Sequence, residues 1–557
     1  MLTPRIAFVG AGPTAIYTLQ ALMNHATVPF AVTIFEAQPV AGRGTPYRPG
    51  WNDPAMLSNI ASIEMPPLEE TLIAWLERQS PARLEELGVD ADEIDERAFY
   101  PRLTLGAFFK DQFEALVVRA RARGNEIEIR TRCRVIDAAG HAGEITLSVR
   151  APRGAVTSER FDYLVMATGH QWPEHPEVRP RYFLSPWPAS ALASIPPCSV
   201  GIRGSSLTAI DAAVALAVNH GDFAEQGDRL VYTPAPNTSE FRLTMLSRKG
   251  LLPEADFYHP VPYEPLAFCT TDAIERLIEG PADGLLEQTF ALFKQELGAA
   301  DPAYAEKRSL AQLTLEQFCD SYFADRQDAD AFTWAEENLR EAEANRLRKH
   351  TVAWRYAILR MHEVIALIVP HLGDEDFERF SRYFKPVFVD DYATVPHESI
   401  KRLLALHAAG KLEVKALGER YHVDSHRVEG GAVVQVGGER LHFPVFIEAT
   451  GQRPLAAKEF PFPSLIAQGI VHDESSIDPA KPARGIVVDD QFHPVADSVP
   501  TDRLFCLSLP FILGRHPFIQ GITSSHEMGS VVGEALAAAI ARGGHPPVGA
   551  EPEPTQS

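Results

Sequence analysis

A strand, a glycine-rich turn, a helix, a second strand and an acid follow one another between Arg5 and Glu36, and few folds accept that order. Ile6 to Val9 is an apolar run of the kind a buried parallel strand carries. It enters Gly10-Ala-Gly12-Pro13-Thr14-Ala15, and a helical pattern continues from Thr14 to Asn24. Gly10 permits a tight turn, Gly12 lets the backbone come close to a pyrophosphate, and Ala15 is small enough for the helix to pack on the strand. The free N–H groups at the helix start, with the positive end of its dipole, then face the diphosphate. Phe30 to Phe35 reads as the second strand, ending at Glu36 with Ala37 behind it. A carboxylate there accepts hydrogen bonds from a ribose 2′-hydroxyl and repels a 2′-phosphate, so this site favours FAD or NAD over NADP.

A chain of 557 residues exceeds what one core holds and predicts two or three domains. Its net charge of −22 argues against nucleic acid or an anionic membrane surface as partner. The five cysteines are scattered, with no C-x-x-C pair, which suits reduced thiols in a cytoplasmic protein and excludes a disulfide-reductase type of flavin chemistry. The first strand starts too early to leave room for a secretory signal. No apolar run reaches the length of a membrane span. The histidines are not spaced for a metal.

Beyond Glu36, Gly42-Arg43-Gly44-Thr45-Pro46-Tyr47 reads either as a loop lying against a phosphate or flavin edge or as a surface turn. Asn59 is placed either as a donor to a flavin carbonyl or as a turn residue. Arg102 opens the helical pattern Ala107 to Ala122, where it can meet a phosphate or a nearby carboxylate. Arg134-Val135-Ile136 starts a small antiparallel unit, with Val135 expected over the adenine. Phe161 to Met166 is a buried strand ending in Ala167-Thr168-Gly169-His170, whose small residues let the chain cross under a bound cofactor. The same pattern recurs at Ala449-Thr450-Gly451, which suggests a nucleotide domain interrupted by an insertion.

Inside that interval lies a second strand, turn and helix, Ser199 to Arg203 and then Gly204-Ser205-Ser206-Leu-Thr-Ala209. Serine at the second glycine position leaves less room for a diphosphate, so a vestigial dinucleotide fold stays open beside a working one. The next strand ends Ser247-Arg248-Lys249-Gly250. Where the first motif has Glu36 this one has a hydroxyl and a guanidinium, which suit a 2′-phosphate and favour NADPH over NADH. Residues 270 to 399 are mainly helical in pattern and predict a cap or insertion. Near the end, His516-Pro-Phe-Ile-Gln520-Gly521-Ile522-Thr523 leads into a helix whose N-terminus is expected at the N1–C2=O edge of an isoalloxazine. His516 is the candidate proton donor there, or else a core histidine.

With these motifs in hand, the chain resembles the two-dinucleotide-binding flavoproteins, which include flavin monooxygenases, N-hydroxylases and glutathione-reductase-like enzymes. It resembles more closely the FAD-NAD(P)-binding family that includes the enterobacterial protein YdhS. The likeness rests on Gly10 to Tyr17, Leu57 to Ile63, Pro101-Arg102, Ala167 to His170, Leu252-Pro-Glu-Ala-Asp256, Lys349 to Val352, Trp354-Arg355-Tyr356 and Gln452-Arg453-Pro454. It implies an α/β fold: a glutathione-reductase-type FAD domain at 1–170 and 400–542, interrupted by an NAD(P)-binding-like domain at 171–269 and a helical insertion at 270–399. The tail from 543 is expected to be disordered. The chain departs from flavin monooxygenases at His170 to Trp187, which lacks their F-x-G-x-x-x-H spacing, and at Ser206. The resemblance implies an FAD-dependent oxidoreductase using NADPH or NADH, with a small-molecule substrate and O₂. A reductase without oxygenation and a non-catalytic flavin-binding module are its rivals.

Overall fold

The computed structural model describes residues 3–141, 143–173, 175–227, 229–281, 283–473, 484–496 and 501–542; the tail from Gly543, expected to be disordered, lies outside them. Three parts share the chain. The first opens with β1 (Arg5–Val9), the Pro13–His25 helix and β2 (Ala31–Glu36), and later adds the Arg102–Ala122 helix and β3 (Glu126–Thr131). An antiparallel unit follows, β4 (Arg134–His141), β5 (Glu144–Arg150) and β6 (Val156–Phe161), before the chain returns as β7 (Tyr163–Met166).

The second part carries the short strands β8 (Glu177–Arg179) and β9 (Tyr182–Phe183), then β10 (Ser199–Arg203) and the Leu207–His220 helix. A hairpin of β11 (Gly221–Gln226) and β12 (Arg229–Pro234) leads to β13 (Arg242–Ser247). The helical block comes next. After it the chain adds β14 (Leu412–Ala416), the antiparallel β15 (Tyr421–Asp424), β16 (Ala432–Val436) and β17 (Glu439–Phe443), and β18 (Val445–Glu448). Only then does it rejoin the first part, first with Leu455 to Val471 against its core and then with β19 (Leu504–Cys506) and the Ile522–Ala541 helix.

The first sheet runs β19-β7-β1-β2-β3, all parallel, and the second runs β14-β13-β10-β18-β9-β8. This corrects the expected boundary at residue 400. Leu412–Ala416 pairs with β13 and Val445–Glu448 with β10, so residues 412–448 belong to the second sheet. Each Ala-Thr-Gly therefore closes its own sheet, and the second one does not resume the first domain's strand pattern. The strand register explains why. Val9 stands beside both Phe35 and Met166, and Arg203 beside both Leu246 and Glu448. Gly10, Glu36 and Ala167 thus leave the first sheet at one edge, and Gly204, Ser247 and Ala449 leave the second in the same way.

The apolar runs end up where a parallel sheet needs them, covered on both faces. On one face of the first sheet the Pro13–His25 and Ile522–Ala541 helices cross closely. A Cβ on Gly533 would lie 2.5 Å from the Ala21 Cβ, and one on Gly529 would lie 2.9 Å from the Thr18 nitrogen. The helical block has its own core, built from Phe290, Phe293, Phe318, Phe384 and Phe388, and Phe518 enters it from the C-terminal part. Its Ala331–Arg348 helix does something else. Phe332, Ala335 and Leu339 join the core of the second sheet, so the block is bonded sideways into that domain.

A buried charge network ties the same seam. Arg355 donates to Glu254, Trp334 Nε1 donates to it at 3.3 Å, and Arg326 bonds Asp390 and the Leu252 carbonyl (2.7 Å). Glu254, Arg326 and Arg355 are all buried. Glu254→Gln should destabilise the protein by about 3–5 kcal/mol, because it leaves a desolvated guanidinium without its counter-charge. A urea unfolding midpoint unchanged from wild type would refute that account.

Candidate functional site

Backbone geometry builds the first cradle. Gly10 sits at φ +103°, and a Cβ there would lie 2.2 Å from the Ala167 carbonyl oxygen. The turn can pass over the Ala-Thr-Gly crossing only because position 10 has no side chain. A Cβ on Gly12 would come 3.2 Å from the Gly44 Cα, so the Gly42-Arg43-Gly44 loop lies directly against the first turn. Gly42 N–H donates to the Ala11 carbonyl at 3.0 Å, which pins that loop in place. Glu36 accepts from the Ala11 and Gln38 amides at 3.2 and 2.8 Å, and burial raises its pKa above the usual carboxylate value. Its carboxylate is thus fixed beside the turn.

Two helices start at this edge. Gly12 caps the Pro13–His25 helix and Gly521 caps the Ile522–Ala541 helix. Thr14 Oγ1 bonds Ser525 Oγ at 3.1 Å, so the two N-termini lie side by side and add their dipoles. Gln520, Gly521, Ile522 and Thr523 are therefore brought to the same edge as Gly10 to Ala15. Thr168 Oγ1 reaches Ser508 Oγ at 2.9 Å, and Gly169 turns the chain away at φ +68°. Tyr47 packs on Phe109, and burial pushes its pKa up to about 12. Val135 is buried at the start of β4.

Other candidates fall elsewhere. Arg102 takes the carboxylate option: its Nη2 lies 2.8 Å from Asp211, and its Nε donates to the Leu57 carbonyl at 3.0 Å. Asn59 is exposed, whereas Asn52 is the buried amide of this region, bonding the Pro46 carbonyl and the Trp187 indole. His516 stands against Phe492, and burial depresses its pKa to about 4. Its ring is neutral at pH 7 and carries no acidic imidazolium proton to donate.

The second cradle repeats the first. Gly204 sits at φ +132°, and a Cβ there would lie 2.3 Å from the Ala449 carbonyl oxygen. Ser206 caps the Leu207–His220 helix with its side chain exposed, and Ser205 Oγ donates to the Leu251 carbonyl at 2.5 Å. Ser247 Oγ accepts from the Gly250 amide at 3.1 Å, and Arg248 is exposed at the strand end. Lys249 holds its ammonium 4.3 Å from the Phe323 ring of the helical block. Gln171 N–H donates to Gln452 Oε1 at 3.2 Å, so the two chain crossings touch.

Residues 7–171 match the FAD-NAD(P)-binding family, and residues 270–392 match the YdhS-like middle domain. The uncharacterized protein YdhS of Escherichia coli (strain K12) is 41% identical over 542 residues, 97% of this chain and 97% of its own. The chain belongs to the YdhS family. As a YdhS-family protein with an FAD-NAD(P)-binding domain, it has FAD and a nicotinamide dinucleotide as its cofactors. The first cradle fits FAD: the Gly12–Gly44 contact brings backbone to the turn, two helix N-termini converge there, and the Glu36 carboxylate is held beside it. Among solved structures, DfoA, a cadaverine monooxygenase of Erwinia amylovora bound to FAD, aligns over 100% of both chains at 13% identity and TM-score 0.50. The ornithine N-hydroxylase KtzI of Kutzneria sp. 744 aligns over 97% of this chain and 100% of its own at 15% identity and TM-score 0.49. At such identities the likeness to DfoA is one of fold. Among the described residues no group of His, Cys, Asp and Glu is arranged to hold a metal, and no helix is long and apolar enough to cross a membrane.

Sequence reasoning missed Ser508 and Asp211, and had Gln452 only as part of the Gln452-Arg453-Pro454 motif. Ser508 follows a buried strand and looks like any small core residue, and its role appears only through its bonds to Thr168 and the Met166 carbonyl. Asp211 had one signal, a carboxylate five residues into an otherwise apolar helix.

Proposed function

We propose that this protein is an FAD-dependent oxidoreductase that takes electrons from NADPH and hydroxylates a small molecule with O₂. The observation carrying this reading is the repeated cradle: two sheets, each with a glycine between parallel strands pressed on the carbonyl of its own Ala-Thr-Gly crossing, joined where the crossings touch. A chain holding one dinucleotide needs one such edge; this chain builds two. When bound, FAD supplies two-electron chemistry: a hydride from NADPH and one proton are matched by O₂, one oxygen atom entering the substrate and the other leaving as water. The chain's own residues bind and orient. Glu36 and the converging helix starts hold the first dinucleotide, while Gly204, Ser205, Ser206 and Arg248 take the second. The absence of any C-x-x-C in the sequence supports oxygen as acceptor over a relay through protein thiols. The solved relatives of this fold, DfoA among them, include monooxygenases.

Anaerobic stopped-flow mixing of the yellow protein with NADPH or NADH tests the reading. Bleaching of the oxidised-flavin band, faster with NADPH, is expected, followed by O₂ uptake on aeration. Yellow protein that neither nucleotide bleaches would overturn the nicotinamide site and leave a flavin-holding module. Bleaching with O₂ consumed only as hydrogen peroxide for every amine, acid and heterocycle tried would favour a reductase.

A further inference from the structure

Among the buried links between the two dinucleotide domains, beside the Trp187 indole on Asn52, is the ion pair of Arg102 with Asp211. Arg102 begins the Arg102–Ala122 helix of the first domain, and its Nε is anchored on the Leu57 carbonyl of that same domain at 3.0 Å. Its Nη2 crosses the seam to Asp211, at 2.8 Å, with the two side chains only 11% and 8% exposed. Asp211 lies in the first turns of the Leu207–His220 helix, the helix capped by Ser206. Any shift of the second glycine turn therefore carries Asp211 with it. The pair also lies at the pivot. His170 follows the first crossing and Gln452 follows the second, the Gln171 amide donates to Gln452 Oε1 at 3.2 Å, and His170 is close enough to Arg102 to feel its charge. Tyr47, in the loop after the first cradle, feels the same guanidinium.

A desolvated pair of this kind has two states rather than a continuum. Separating it inside the seam strands two charges, each at a cost of several kcal/mol, so the seam is either closed on the pair or opened to water. We infer that Arg102 and Asp211 form a positioning latch, which fixes the second domain in the orientation from which the nicotinamide hydride reaches the flavin, while neither residue touches a dinucleotide. The inference rests on the proposed function, since it assigns the latch to that hydride transfer.

The test uses full-length holoprotein carrying Asp211→Asn, Arg102→Gln, or both. Asp211→Asn keeps the shape of the side chain, and Arg102→Gln supplies a second route if the first variant folds poorly. Flavin content and dithionite reduction should match wild type, and the NADPH dissociation constant should stay within about twofold. The rate constant for flavin reduction at saturating NADPH should fall about tenfold or more in each single variant. The double variant should be no slower than the slower single, because the second change removes a contact already lost. Unchanged or faster reduction in the single variants overturns the latch, and so do losses that multiply in the double variant. If wild type itself is not bleached by NADPH, the proposed function fails instead, so the two failures are told apart by the wild-type trace.

Discussion

Replacing Gly10 by alanine should give a protein that no longer retains FAD. The new Cβ would lie 2.2 Å from the Ala167 carbonyl oxygen, well inside contact distance, and the residue sits at φ +103°, which costs an L side chain about 1–2 kcal/mol before any clash. Overpacking a rigid site adds about 1–3 kcal/mol. The clash partner is backbone in a fully buried strand layer, so neither side can yield cheaply. Relief must come from moving the turn, and moving the turn displaces Gly12, the start of the Pro13–His25 helix and the Ala11 amide that holds Glu36. Three of the features expected to hold the dinucleotide are lost together. The visible-to-ultraviolet absorbance ratio of purified protein measures this directly, with thermal unfolding beside it. Gly204→Ala is the matched control, since its Cβ would lie 2.3 Å from the Ala449 carbonyl oxygen. That variant should stay yellow and lose NADPH binding. A wild-type flavin ratio and melting temperature in Gly10→Ala would show that the first cradle is not where the flavin sits.

The glycine positions were legible because their requirement is local: a strand, a turn and a helix within a dozen residues leave one place where a side chain cannot go. The same holds for Glu36, whose distance from the turn is set by one helix and one strand. The boundary of the second domain was not legible in this way. Val445–Glu448 and Leu412–Ala416 are ordinary short strands, and which sheet they join depends on partners some 245 and 170 residues away, β10 and β13. Two identical Ala-Thr-Gly endings made either sheet acceptable from sequence alone. Arg102 illustrates a third case. Its residue type and its place at a helix start suit a phosphate or a carboxylate equally, and only the approach of Asp211 across the seam decides between them. The burial that lowers the His516 pKa to about 4 is likewise something its place in the sequence does not carry. The Ala331–Arg348 helix is rich in charge, and its sparse apolar stripe of Phe332, Ala335 and Leu339 closes the second sheet's core.

Arg248→Ala should abolish the preference for NADPH over NADH while leaving flavin content unchanged. The carboxyl end of β13 corresponds to the end of β2, and the two ends carry opposite chemistry. Glu36 is half-buried there and held by backbone amides, whereas Arg248 is exposed and free to meet an incoming group. Ser247 already accepts the Gly250 amide, so its hydroxyl proton is what remains to offer. Lys249 adds a second positive charge, kept in place over Phe323. A guanidinium on a phosphate makes charge-assisted hydrogen bonds worth about 1.5–3 kcal/mol, so its removal should cost NADPH about ten- to hundredfold in affinity. NADH has no 2′-phosphate and should be affected little. The expected signature is a rise in the NADPH concentration needed for half-maximal anaerobic bleaching, with the limiting rate and the NADH titration both unchanged. Raising the salt concentration should weaken NADPH binding in wild type more than in the variant, because the exposed charge pair is screened. A variant that still prefers NADPH by the wild-type margin would remove Arg248 from the site and leave Lys249 as the group to replace next.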